Sequence, residues 1–330
     1  MTIAIIGAGL AGLTCAHALR QQGKDVAVFD KGRGPGGRMS TRRAQTPLGE
    51  LRFDHGAQYI SADGEDFDAQ LRAWAQKGVL APWEGRLIEI GPGGATRPLA
   101  AKTRWVGVPS MNALVRHLAA PFAVDWSARV IALQGRPGAW RLEFEGEPPQ
   151  KGAFEAVLLA IPAEQVGPLL EPVAPDMAAR AGAVVSAPSW TGMLAFAEAR
   201  DAGFDAARLT GAGPIGWMAR GASKPGRGSA ETWVVQATPE WSRAHLEDDA
   251  DTVAKALSEA FQAIAPGEPP VHVATHRWRY AQSERPVGAP CQFDPALGLG
   301  TCGDWHLGGQ CEHAWRSGTA LAQTLVDTRT

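Results

Sequence analysis

"TIAIIGAGLAGLTCAHALRQQGKDVAVFD", residues 2–30, decides the fold. "TIAIIGAG" reads as a short, β-branched, buried strand. "LAGLTCAHALRQQG" carries apolar residues at helical spacing and stops at Gly23. "DVAVFD" reads as a second strand that ends on an acid, Asp30. This is a βαβ unit, and Gly7-x-Gly9-x-x-Gly12 falls at its first turn. Gly7 allows the tight turn, Gly9 lets the backbone approach a pyrophosphate, and Gly12 lets helix and strand pack closely. The helix start offers free N–H groups and partial positive charge to phosphates. Asp30 is placed to accept from a ribose hydroxyl. An acid there repels a 2′-phosphate, so NADP is disfavoured as the resident ligand, which leaves NAD or FAD.

The next residues separate the two. "GRGPGGRMSTRR" (32–43) follows the second strand directly and reads as a loop rich in bare backbone and positive charge. Gly36 and Gly37 permit another close approach, and Arg38 can fork onto the same pyrophosphate. The stretch resembles the Asp/Glu-x(5–6)-Gly-Gly-Arg extension of the amine-oxidase and protoporphyrinogen-oxidase class of FAD flavoproteins. Arg42 and Arg43 are surplus to one pyrophosphate. They read either as a solvated basic turn or as contacts to a second anionic molecule. "FDHGAQYI" (53–60) resembles the loop that passes the flavin ring in this class. "GLGTCGDW" (298–305) resembles its Gly-Asp element, with Asp304 on the ribitol. The final helix would then point its N-terminus at the flavin's pyrimidine edge. The resemblance implies FAD contacts at Gly7, Gly9, Ala11, Gly12, Asp30, Lys31, Gly37, Arg38, His55, Gly56, Ala57, Gln58, Val130 and Asp304. It implies noncovalent FAD, since neither Cys302 nor Cys311 lies in an attachment pattern.

Elements 270 residues apart must then meet on one ligand, so the FAD domain is expected to be discontinuous. The resemblance implies an α/β fold class: a Rossmann-type FAD-binding domain of the p-hydroxybenzoate-hydroxylase/monoamine-oxidase topology, with an inserted α+β, mixed-sheet substrate domain. The expected bounds are 1–80, 105–162 and 285–330 for the FAD domain, and 81–104 and 163–284 for the substrate domain. Periodicity predicts helices over 66–77, 110–120 (with Ser110 as N-cap), 162–182, 248–264 and 311–327. Short strands from 122 to 161 read as a meander. Further strands are expected near 85–99, 190–198, 231–238 and 272–281, with a polar loop, "ARGASKPGRGSAE", at 219–231.

Composition excludes some classes. The net charge is −2, so nothing overall asks for nucleic acid or a membrane surface. No apolar run reaches the ~18 residues of a membrane span. The N-terminal apolar run lacks a basic n-region and is broken by glycines, and the four cysteines form no C-x-x-C pair. A cytoplasmic, reduced protein is expected, with no metal site.

"DKGRGPGGRMSTRR", "FDHGAQYI", "KPGR", "THRWRYA" and "GTCGDW" together resemble the renalase family in its bacterial form, over essentially the whole chain. Renalases oxidise 2-dihydro and 6-dihydro isomers of NAD(P)H. Hydride passes to the flavin, NAD(P)+ is released, and molecular oxygen reoxidises the flavin to give hydrogen peroxide. The resemblance implies a small dihydronicotinamide dinucleotide as substrate. Trp278 and Tyr280, alternate residues of one strand, read as a positioning wall, with ordinary core aromatics as the alternative. Gln236 falls about where the animal relatives have a histidine, and His276 reads as structural. Arg42, Arg43, Lys224, Arg227, Arg277 and Arg279 are available to the substrate's phosphates, and Tyr59 to the substrate. Flavin amine oxidases place a lysine near the flavin. Of the seven lysines here, Lys224 and Lys255 lie between 162 and 290, the first in a polar loop and the second in a helical stretch, which speaks against that chemistry. The alternatives are a flavin oxidase of an amine or porphyrinogen-like molecule, and a non-catalytic FAD-binding protein.

Overall fold

The computed structural model describes residues 2–147, 149, 152–211 and 213–328. Two compact units divide the chain. One comprises Met1–Gly37, Val115–Ser186 and Gln282–Thr330, and the other Arg38–Leu114 and Ala187–Ala281. Both are built from separated stretches.

The first unit holds a six-stranded sheet in the order 292–294, 299–301, 156–159, 2–6, 25–30, 124–126. All neighbours are parallel except the outermost pair, 292–294 with 299–301. The central strand Thr2–Ile6 is buried along nearly its whole length, as a parallel strand covered on both faces must be. That is why "IAII" carries no polar alternation. Helix Leu10–Gln21 connects it to Asp25–Asp30. The expected meander is split. Val124–Trp126 and Ala156–Leu159 join the parallel sheet, while Val130–Arg136 and Ala139–Phe144 form a separate antiparallel hairpin. Helices Ala163–Leu170 and Pro175–Gly182 bury Val166, Leu170 and Met177 in one core with Val157 and Leu159.

The second unit holds a seven-stranded sheet in the order 272–285, 185–195, 232–237, 215–220, 206–209, 87–90, 96–98. Along the strand Thr232–Ala237 the side chains alternate between two cores. Trp233, Val235 and Ala237 pack with Val253, Leu257 and Phe261 of helix Ala250–Ile264. Val234 packs on the other face with Phe53 and Leu51. Those two belong to a hairpin, Thr41–Thr46 with Gly49–Asp54, where a loop was expected at its start. Arg42 and Arg43 are therefore strand residues.

The unit bounds differ from the expected domains. Residues 38–80 and 105–114 fall in the second unit because Phe53 is buried on its sheet, Leu51 packs partly buried beside it, and Ile60 pairs with Trp105. Residues 163–186 fall in the first because their helices bury their apolar faces there. The third helix begins at Ala113, and Ser110 instead bonds the Asn112 side chain.

Candidate functional site

In the first unit, the glycines of the βαβ turn do three separate jobs. Gly7 has φ of 108°, and a Cβ there would strike the Ala160 carbonyl. A Cβ on Gly12 would strike the Gly7 carbonyl. A Cβ on Gly9 would meet nothing within 4 Å, so its backbone borders open space. Gly9 is also the N-cap of helix Leu10–Gln21, with no side-chain cap and no acid in the first turn. Uncapped N–H groups beside open space, with no acid in the helix's own first turn, fit a pyrophosphate.

Asp30 binds both sides of this turn. Its Oδ2 accepts from the Ala8 N–H at 2.7 Å and its Oδ1 from the Gly32 N–H at 2.6 Å. A carboxylate has about four acceptor positions, so a ribose hydroxyl can still be accommodated. Gly37 has φ of 53°, and a Cβ there would lie 3.9 Å from the Gly9 Cα. Ala11 is abutted by Gly318 of the final helix Cys311–Asp327, where any Cβ would strike the Ala11 carbonyl. Asp304 is buried behind Gly303, whose N–H donates to Ser317 Oγ at 2.9 Å. Val130 is buried at the start of its hairpin. Lys31 donates to Gln165 Oε1 at 2.9 Å. Partial burial, then the charge of Arg129, push its amine below the usual lysine range. Cys302 is fully buried, and the neighbouring Cys15 thiol and burial push its own thiol well above the ordinary range.

In the second unit, the loop after Phe53 is held by its own carbonyls. The Arg38 carbonyl accepts from the Ala57 N–H at 2.8 Å and lies where a Cβ of Gly56 would stand, so only glycine fits. Gln58 Nε2 donates to the Asp54 and Gly56 carbonyls. Trp278 Nε1 donates to the His55 carbonyl at 2.9 Å, and Gln236 Nε2 to the Gly56 carbonyl at 2.8 Å. Trp278 and Gln236 therefore act on the loop through its backbone. His55 stacks on Trp278 with centroids 5.2 Å apart and meets the edge of His276 at 4.7 Å. Burial, then His276 and Arg42, push His55 down to about 4. Burial and Arg42 also lower His276. Both shifts favour the neutral imidazole. Tyr280 is half-buried two residues beyond Trp278.

Lys224 requires a correction. Its loop reads as polar, yet the side chain is 4% exposed and donates to Gln58 Oε1 at 3.0 Å. Burial pushes its amine down to about 8, against the pull of Asp54. Asp54, which sequence reasoning missed, is the centre of this buried cluster. It accepts from Thr41 Oγ1 at 2.6 Å, from the Met111 N–H at 3.0 Å, and from Arg227 Nε and Nη2 at 3.1 and 2.7 Å. Burial alone would raise its carboxyl, but Lys224, Arg227, Thr41 and Met111 together hold it below the ordinary range. The signal was an acid following a buried phenylalanine, together with "KPGR", whose lysine and arginine both serve it.

The other expected cations separate. Arg277 and Arg279 share Glu247, on the strand face opposite Trp278. Arg42 donates to the Thr275 carbonyl at 3.4 Å, and Arg43 is exposed. Among the described residues, no group of three His, Cys, Asp or Glu could hold a metal, and no helix is long and apolar enough to cross a membrane.

Residues 5–75 match the NAD(P)-binding Rossmann-like domain. Three solved structures are similar over nearly their whole length. A protein from Exiguobacterium sp. 255-15, assigned as a protoporphyrinogen oxidase, gives a TM-score of 0.74 at 12% identity over 98% of both chains. A putrescine oxidase bound to putrescine gives 0.71 at 13% identity over 99% of both. Cyclohexylamine oxidase from Brevibacterium oxydans IH-35A gives 0.72 at 13% identity, over 99% of this chain and 98% of that one. The fold is of the monoamine-oxidase type. At such identities the likeness is one of fold. It accounts for a Rossmann-like unit whose chain is interrupted twice by the second unit.

Proposed function

We propose that this protein is an FAD-dependent oxidase of 2-dihydro and 6-dihydro isomers of NAD(P)H. The cradle at Gly7, Gly9, Gly12 and Asp30 would hold FAD, with Gly37, Arg38 and Asp304 as further contacts. When bound, FAD supplies a hydride acceptor that oxygen regenerates with release of hydrogen peroxide. A dihydronicotinamide loses hydride to become an aromatic cation, so its oxidation needs positioning and no base. The reading rests chiefly on the ring-packed pair His55 and His276 beside Trp278. These rings can present flat surfaces, while their lowered basicity leaves them poorly suited to proton abstraction at pH 7. Gln236 and Trp278 would hold the 54–57 loop still while the substrate reacts.

One observation favours a second reading, an amine oxidase. Lys224 is buried with its amine pushed down to about 8, which leaves part of it neutral in mildly alkaline solution. A neutral amine can take a proton from an ammonium substrate or a water. Anaerobic mixing of holoprotein with borohydride-made 2- and 6-dihydro isomers separates the two. Rapid bleaching by these isomers and slow bleaching by putrescine and cyclohexylamine supports the first reading. The opposite order removes it.

A further inference from the structure

In the second unit, two guanidiniums converge on one phenol. Arg104 Cζ lies 5.4 Å from the Tyr59 ring centroid, and Arg208 Nη2 donates to the Tyr59 hydroxyl at 3.4 Å. Trp217 packs on the same ring with centroids 5.5 Å apart, and Trp83 stands 6.5 Å beyond Trp217. The neighbourhood has an excess of donors. Among the described residues, neither arginine has a carboxylate within 4 Å. Glu89 is in register with Arg208 on the adjacent strand, but its carboxylate is taken by Arg97. Arg104 spends Nη1 and Nη2 on the carbonyls of Lys102 and Ala100, while its Nε is buried with no acceptor. The Trp217 Nε1–H is likewise buried without an acceptor, on a side chain more than nine-tenths enclosed.

Buried N–H groups without acceptors are rare because each costs the desolvation of a donor with no return. Beside two cations without a carboxylate, these donors mark a neighbourhood short of acceptors and of negative charge. We propose that Tyr59, Arg104 and Arg208 form a subsite for a phosphate oxyanion of the substrate, with Trp217 buried behind the half-exposed Tyr59 ring. This rests on the dinucleotide reading above, since a small neutral or cationic amine would leave the donors unmatched. Guanidiniums suit a phosphate better than an ammonium would, because their planar fork can meet two oxygens at once.

The test uses binding by intact holoprotein. Arg208 is exposed, so Arg208→Gln leaves the fold intact. Calorimetry compares inorganic pyrophosphate, nicotinamide mononucleotide and nicotinamide riboside at equal ionic strength. Wild type should bind the mononucleotide at least roughly tenfold more tightly than the riboside, and Arg208→Gln should remove most of that difference while leaving the riboside unchanged. Pyrophosphate should raise the melting temperature of wild type and not of Arg208→Gln. If pyrophosphate acts in this way but neither nicotinamide binds, the subsite stands and the dihydronicotinamide reading falls. If Arg208→Gln changes nothing, or weakens mononucleotide and riboside equally, the subsite is refuted.

Discussion

Asp54→Asn removes one negative charge from a buried place that holds two positive ones. Arg227 and Asp54 are 7% and 4% exposed, and the carboxylate accepts four hydrogen bonds, from Thr41, Met111 and twice from Arg227. Asparagine keeps the shape but offers one acceptor oxygen and turns an NH2 toward a cation. Breaking a buried pair from one side costs about 3–5 kcal/mol, because the remaining charge stays buried and unmatched. For 330 residues unfolding as one transition, that cost corresponds to roughly 4–7 °C in Tm. Urea and thermal unfolding of wild type and variant, both with cofactor bound, measure it. The pH dependence has a definite sign. Asp54 is held below its ordinary value in the folded protein. Its contribution is therefore fully present above the unfolded carboxylate value and is lost as pH falls through the folded one. The gap between wild type and Asp54→Asn should stay constant from pH 7 to pH 5 and close in stronger acid. A cost below about 1 kcal/mol at pH 7, the range of surface pairs, would refute the reasoning.

Arg38→Ala should weaken FAD binding by roughly 10- to 150-fold, the worth of one charge-assisted contact, with Arg38→Lys intermediate; flavin content after gel filtration reads it, and full retention contradicts the contact. Acid precipitation should leave the flavin in the supernatant; colour remaining in the pellet would mean a covalent link. Trp278→Ala frees the His55 carbonyl and should slow anaerobic flavin reduction by roughly 10- to 1000-fold, within the range attributable to orientation; an unchanged rate would remove its positioning role. Lys224 has a folded value of about 8 against an ordinary 10.5, so the folded chain binds fewer protons between those limits and stability rises with pH across them. Wild type should therefore gain on Lys224→Met between pH 8 and pH 10 in urea unfolding, and a flat difference would mean that Lys224 titrates normally.

The βαβ unit was legible in the sequence because its signals are local. The glycine spacing, the uninterrupted apolar strand and Asp30 each act within a few residues of their partners. The long helices at 250–264 and 311–327 were legible for the same reason, since periodicity and end signals lie within the helix itself. The hairpin at 41–54 was not, because "TRRAQT" carries no apolar alternation. Pairing with Gly49–Asp54 and packing of Phe53 and Leu51 on a distant sheet make it a strand. The same holds for the site. Gly56 could be read as a glycine in a motif, but only the approach of the Arg38 carbonyl explains why glycine is required there. Composition marks Lys224 as solvent-exposed. Asp54 and Gln58, 170 and 166 residues away in the chain, make it a buried amine. Backbone geometry follows from neighbours in sequence, so the chain by itself determines it. Burial, and with it the charge state of Asp54, His55 and Lys224, depends on what packs around a group, and only the tertiary structure decides that.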